Sequence, residues 1–304
     1  MYNEEIKSEF IKESIGDNPQ LEVILPRIFR YAEKIEHEKN RDISNWGIKD
    51  IISYYKSLCI GSVDSLKVMN SQLRRYTEFC QYKNLLLDNQ NHFNEITYDI
   101  LLTCVNKGLI YNSIVTKKDL YEYIDEMNIV ADAFLSLALF EGIGGSKLID
   151  FNKLTLSDFE GNKVKLESGR TLKVSNKLLA LAVESSNTYY FKTNARLVRY
   201  KDNDKRIIKD KANSFSDEQR LVRYQHQLIR LRKSTGNKFF SASTLNESGR
   251  IDMIMNLSKE HGMSYEEILS DEKLRNVIEY RYGKIYSLSR YLKKYDFMFK
   301  EGNI

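Results

Sequence analysis

The side chains best suited to chemistry in this sequence are cations. Between Tyr189 and Lys238 there are 14 lysines and arginines against 5 acidic residues, a net of +9, whereas the whole 304-residue chain carries only +5. The remainder is therefore mildly acidic. Positive charge concentrated in this way marks either a polyanion site or a solvated charged face. Other chemistry is poorly supported. The four histidines (His37, His92, His226, His261) are scattered and share no metal-ligand spacing. There is no phosphate-loop motif and no recognisable nucleophile–base pair. Gly142-Ile143-Gly144-Gly145 has the spelling of a dinucleotide loop, but it follows a helical apolar run rather than a strand, which argues against that use.

These groups must be positioned by a mainly helical scaffold. The chain is 42% hydrophobic and 29% charged, with only two prolines. That is ordinary for a folded globular protein long enough for two domains. No apolar run approaches the ~18 residues of a membrane span, and the acidic start MYNEEIKSEF does not read as a signal peptide. Cys59, Cys80 and Cys104 have no CxxC spacing and read as reduced thiols. Apolar spacing predicts helices over Glu4–Ile15, Leu21–Glu36 (started or kinked by Pro26), Ile48–Leu58 and Val63–Leu86. The last has Leu66, Met69, Leu73, Tyr76 and Phe79 on one face and Lys67, Asn70, Ser71, Arg74 and Arg75 on the other. Thr116 with Asp119 caps a helix over Leu120–Met127. An apolar helix from Ala131 then runs into the Gly142–Gly145 turn. Strands are expected at Val164–Leu166 and Thr171–Val174, joined by Glu167-Ser168-Gly169, and a helix follows at Asn176–Ser185. Tyr189–Phe191, Leu197–Tyr200 and Arg206–Ile208 are strand-like. Ser216 with Gln219 caps a basic helix, Asp217–Lys233, which carries Arg220, Arg223, His226, Arg230 and Arg232. Further helices are expected over Ser243–His261, from Ser264 (capped with Glu267), over Leu274–Tyr282 and over Ile285–Tyr295. The fold class is mainly α with a small β-sheet. The expected domains are 1–90 (helical), 91–128 (connecting helices) and 129–304.

The order apolar helix, glycine turn, Leu154-Thr155-Leu156-Ser157-Asp158, small hairpin, then helices resembles the catalytic domain of tyrosine recombinases, the phage integrase family. The helical first half resembles that family's SAM-like core-binding domain. The resemblance implies a tyrosine that attacks a DNA phosphate, two arginines that clamp the nonbridging oxygens, a hairpin lysine and a histidine. Only a guanidinium offers a fixed fork of charge-assisted donors for that clamp. The first arginine belongs near Gly144–Lys147, yet no arginine occurs from Tyr76 to Gly169, and Lys147 is the only cation in that turn. The second belongs to a His-x-Leu-Arg phrase. The matching residues are Ser243-Thr244-Leu245-Asn246, with Arg250 one helical turn on. Lys165 or Lys173 could stand for the hairpin lysine. Spacing from Asn246 allows Tyr280 or Tyr282 as nucleophile, with Tyr286, Tyr291 and Tyr295 nearby. Among 20 tyrosines, packing roles are the ordinary expectation.

Integrase-like proteins without the catalytic arginines are found among the lysogeny repressors of SPbeta-type Bacillus phages. This sequence resembles that group in its arginine-free turn and its Leu-Asn-Glu-Ser-Gly phrase. The resemblance implies a sequence-specific repressor with no catalytic activity and no cofactor, working on phage operator DNA in the host cytoplasm and nucleoid. One domain would lie on each side of the duplex. The residues expected at the DNA are Lys67, Asn70, Ser71, Arg74, Arg75, Arg196, Arg199, Lys201, Arg220, Arg223, His226, Arg230, Asn246 and Arg250. An antirepressor or other regulatory protein is a natural second partner, although no motif marks one. Two other readings are an active recombinase with divergent catalytic residues and an interaction or architectural protein that binds DNA nonspecifically or not at all.

Overall fold

Apolar residues three and four apart build the first helices: α1 (Glu4–Ile15), α2 (Gln20–Lys39), α3 (Ile48–Ser57) and α4 (Val63–Tyr82). In the computed structural model, residues 1–16, 19–192, 197–201, 203–210, 216–237 and 240–301 are described, the side chains of 146, 147, 234, 300 and 301 excepted. Two compact units result, Met1–Tyr111 and Asn112–Ile304. The stretch 91–128 is shared between them: α5 (Tyr98–Cys104) falls in the first, α6 (Lys107–Ser113) spans the division, and α7 (Lys117–Asp125) falls in the second.

The first unit closes on aromatic contacts. Phe10, Phe29 and Tyr76 meet edge to face with ring centroids 4.8–6.3 Å apart, and Trp46 meets Tyr54 at 5.4 Å. Beside them the Lys7 ammonium lies fully buried, 2.6 Å from Glu36 and 3.7 Å from Asp42. Burial pushes the Glu36 carboxyl up to about 7, against the pull of Lys7 and the Ile43 N–H. Of the two roles expected for Pro26, starting the helix or kinking it, the first does not apply, because Pro26 lies inside α2. Leu25, Ile28 and Phe29 around it are buried, so tertiary packing holds the helix through the missing donor.

The second unit is organised around α8 (Val130–Phe140), in which every residue from Ala131 to Phe140 is buried. A helix apolar on all sides must be central, and α8 packs against α7, α9 (Asn176–Asn187), α10 (Asp217–Thr235) and α11 (Ala242–His261). The small sheet is an antiparallel meander of β1 (Phe159–Glu160), β2 (Lys163–Lys165) and β3 (Thr171–Lys173), with Val164 opposite both Phe159 and Leu172. A separate hairpin, β4 (Tyr190–Lys192) and β5 (Leu197–Arg199), pairs Phe191 with Val198. The strand expected at Arg206–Ile208 is absent. Arg206 makes a single bridge to Thr155, and Ile207 and Ile208 point into the core. Three helices complete the unit: α12 (Tyr265–Ser270), α13 (Glu272–Tyr282) and α14 (Leu288–Glu301). The expected caps form: Thr116, Ser216 and Ser264 each accept a backbone N–H at the start of their helix. Among the described residues no helix is long and apolar enough to cross a membrane.

Candidate functional site

The glycine turn after α8, the β2–β3 hairpin, the start of α11 and the end of α13 converge on one cleft of about 930 Å³. Gly144, Gly145, Ser243, Asn246, Tyr280 and Tyr282 all line it, so the fold brings the positions singled out in the sequence to one place. The turn needs its glycines. Gly142 has φ +84, and a Cβ there would lie 2.6 Å from the Arg281 side chain and 2.9 Å from its carbonyl.

A latch runs along the wall of the cleft. Arg170, on the hairpin, donates to the carbonyls of Arg281 at 2.6 Å and Tyr280 at 3.4 Å, and pairs with Asp150 at 2.7 Å. Asp150 is 1% exposed; it also accepts from the backbone N–H of Gly144 at 3.1 Å and of Ser168 at 3.3 Å. Arg281 in turn donates to the carbonyl of Glu141 at 3.0 Å and to that of Lys173. Both candidate nucleophiles are engaged by main chain. The Tyr280 hydroxyl accepts from Thr171 N–H at 2.9 Å, although the residue is 51% exposed. The Tyr282 hydroxyl donates to the Phe140 carbonyl at 3.0 Å, and burial raises its pKa. A neutral, buried phenol held in this way is a poor nucleophile.

Arg250 does not take the missing clamp position. Its side chain is largely buried, 2.6 Å from the Tyr282 carbonyl and 3.2 Å from Glu247. Its Nη1 and Nη2 thus serve the packing of α11 and α13, while its Nε is buried without a partner. Asn246 is half-buried in the cleft wall, and exposed Ser243 bonds the Ser241 hydroxyl at 3.1 Å. Lys165 and Lys173 lie on the exposed face of their strands. The Lys147 side chain lies outside the described residues. Arg170, Asp150 and Arg281 were missed in the sequence. Their only signal is that Arg170 is the first arginine after Arg75 and stands in a hairpin turn.

The basic stretch is less free than its net charge suggests. Arg206, Arg220 and Arg223 surround Asp210, which is 1% exposed, at 2.6, 3.1 and 3.2 Å. Arg206 also holds Asp204, and Arg220 holds Asp217, each at 2.6 Å. Burial works to raise the Asp204 carboxyl, but hydrogen bonds from Arg206 and from the backbone of Asp210 and Arg206 outweigh it and leave it lowered. Arg230 forms a two-pronged pair with buried Asp132 on α8 at 2.7–3.0 Å. Burial pushes the Asp132 carboxyl up, and Arg230 and Gln227 pull against that shift. Arg220 and Arg223 are largely buried against internal carboxylates, whereas Arg230 stays 44% exposed beside its carboxylate partner. His226 on the same helix is exposed. Arg196 lies outside the described residues. The β4–β5 hairpin and its exit keep an outward face of aromatic and cationic groups: Tyr189, Tyr190, Leu197, Lys192, Arg199 and Lys201 are exposed. The Arg199 guanidinium lies over the Tyr190 ring at 5.8 Å.

In the first unit, α4 exposes Lys67, Arg74 and Arg75, with Ser71 half-buried beside them. Asn70 does not share that face, contrary to expectation. It is 9% exposed, accepts from the Tyr55 hydroxyl at 2.9 Å and donates to the Phe93 carbonyl at 3.2 Å. Both ends of its amide are thus used in holding α3 and the segment before α5 to α4.

Residues 1–82 match the family described as "MrpR, N-terminal core-binding domain", and residues 114–295 match "MrpR, C-terminal catalytic domain". No curated protein matches the chain. The second match alone covers more than half of the sequence and contains the whole latched cleft, while the first contains the basic face of α4; the chain belongs to the MrpR family, with its tyrosine recombinase-like core-binding and catalytic domains.

Proposed function

We propose that this protein is a sequence-specific DNA-binding transcriptional repressor that keeps phage lytic genes silent in a lysogen and does not cut DNA. The observation that carries this reading is the latch. Arg170, Arg232 and Arg281 in the cleft wall and Arg250 beside it donate to carbonyls or pair with carboxylates, and both candidate tyrosines hydrogen-bond to main chain. A phosphorane-like transition state needs donors aimed at its nonbridging oxygens, and losing one such donor costs about 2.7–4 kcal/mol, or 100- to 1,000-fold in rate. Two missing arginines and a missing histidine leave negligible strand cleavage. Affinity does not depend on that chemistry, because phosphate contacts position a protein on DNA whether or not a bond is broken.

In this reading Lys67, Arg74 and Arg75 of the first unit and the outer face of the β4–β5 hairpin supply phosphate contacts. Ser71 and Asn246 are the remaining candidates for contacts to base edges. The deciding experiment is to incubate the purified protein with fragments of its source phage genome at near-physiological salt, with excess random competitor, and then with suicide substrates built from the retained sites. Selective retention of a few short sites without a covalent adduct is the expected result. An adduct that disappears in Tyr280→Phe or Tyr282→Phe would identify an active recombinase instead. Equal affinity for all duplexes would identify an architectural protein.

A further inference from the structure

The segment between α4 and α5 carries a histidine whose two ring nitrogens both meet carboxylates. His92 opens a short 3-10 helix, His92–Glu95. Its Nδ1 lies 2.8 Å from Glu95, and its Nε2 lies 3.0 Å from Asp88. A carboxylate only accepts, so the two contacts need two donors, and only the protonated imidazolium has two. We propose that Asp88, His92 and Glu95 form a pH-sensitive clasp, which holds residues 88–95 on α4 while His92 is charged and loosens them when it is neutral.

The clasped segment is tied to α4 at three points. Gln81 Nε2 donates to the Asn89 carbonyl at 2.9 Å, Asn91 Nδ2 to the Arg74 carbonyl at 3.0 Å, and Asn70 Nδ2 to the Phe93 carbonyl at 3.2 Å. Within the segment, Asp88 Oδ1 accepts from Gln90 N–H at 3.1 Å, and Asn91 Oδ1 accepts from Phe93 N–H at 3.2 Å. The His92 side chain is 19% exposed, against 54% for Asp88 and 52% for Glu95, so the ring is the covered member of the three. The helices packed on this turn are α4 and α3. On α4, Arg74 turns its guanidinium to Glu78 at 3.7 Å, and on α3 the Tyr55 hydroxyl is taken by Asn70. The groups that act most on His92 are Glu95 and Asp88 themselves.

Losing the proton changes the contacts in kind. A neutral ring keeps one N–H and bares one lone pair, so one carboxylate then faces a lone pair at hydrogen-bonding distance. Hydrogen bonds to Glu95 and Asp88 raise the imidazole above its ordinary value, against its burial. The clasp's stabilisation is therefore complete below the unfolded value of about 6.5 and lost as pH rises through the raised folded value. The Gln90 N–H and the His92 ring hold the Asp88 carboxyl low, so it stays charged over this range. The device acts on the helix that exposes Lys67, Arg74 and Arg75, and it stands whatever those cations bind.

The test is a nuclear magnetic resonance titration of the full chain from about pH 5.5 to about pH 9, which spans the ring's charge change. His92→Gln identifies the His92 ring signal by its loss. The expected result is a His92 midpoint above the ordinary imidazole value. Amide protection at Gln90 and Phe93, corrected for intrinsic exchange, should fall about threefold or more across that midpoint. Asp88→Asn should abolish the fall: its Oδ1 can still accept from Gln90, and its Nδ2 can donate to the bared Nε2. Protection within α4 reports that this variant is folded. A His92 midpoint at or below the ordinary value would overturn the proposal. So would protection that does not change across the midpoint, or that falls equally in Asp88→Asn.

Discussion

At the scale of single residues, Arg170 has the most consequence. One guanidinium ties a hairpin to a buried carboxylate and to the last carbonyls of α13. The pair is buried on the Asp150 side and 18% exposed on the Arg170 side. Removing one partner of such a pair leaves the other uncompensated, at a typical cost of about 3–5 kcal/mol. Arg170→Ala should therefore lower the stability of the second unit by about 3 kcal/mol, read from denaturant midpoints. Amide exchange at residues 280–283 should accelerate with it. Arg170→Lys should recover little, because an ammonium cannot serve Asp150 and two carbonyls in one plane. Unchanged exchange at 280–283 in Arg170→Ala would mean that the tyrosine segment is held by something other than this latch. Arg170 also shows why the cleft was only partly legible in the sequence. Counting arginines shows that none precedes Arg170 back to Arg75, but nothing in the local sequence says that Arg170 reaches across the cleft to α13.

At the scale of elements, the packing of α8 on α11 decides whether the cleft exists. Gly249 on α11 faces the end of α8 so closely that a Cβ would lie 1.7 Å from the Phe140 carbonyl oxygen. That same oxygen accepts the Tyr282 hydroxyl. Overpacking usually costs about 1–3 kcal/mol, and more where the obstacle is backbone that cannot move aside. Gly249→Ala should therefore cost at least about 3 kcal/mol in the second unit and release Tyr282, seen as loss of its protected environment in ultraviolet titration. A variant as stable as the parent would show that the two helices can slide apart freely. Sequence periodicity located both helices to within a few residues. It could not show this approach, because a helical glycine looks like a mere cost until the neighbouring backbone is in place.

For the whole molecule, charge and its pairing set how a polyanion can be held, and the proposed function makes that polyanion DNA. Exposed Arg75 on α4 has only Gln72 as a hydrogen-bond partner among those described, at 3.3 Å, whereas Arg223 is mostly buried against Asp210. Removing one cation that touches a phosphate should flatten the plot of log K against log salt by about 0.9. Arg75→Ala should show that change at unchanged stability, while Arg223→Ala should mainly lower the melting temperature and change the slope by less. The reverse outcome would return α10 to the role the net charge suggested. The sequence by itself determined the mainly helical class, the small sheet, the capped helix starts and the recombinase-like order with its missing arginines, because each rests on local spacing or on residue identity. It also determined that positive charge is concentrated between Tyr189 and Lys238. Only the tertiary structure decided which of those cations remain available, that Asn70 and Arg250 turn inward, and that Arg170 closes the cleft. The decisive partners include ones far away in the chain, such as Asp132 for Arg230, Phe93 for Asn70, Tyr282 for Arg250 and Arg281 for Arg170. No local pattern encodes which carboxylate or carbonyl the fold will bring within hydrogen-bonding distance.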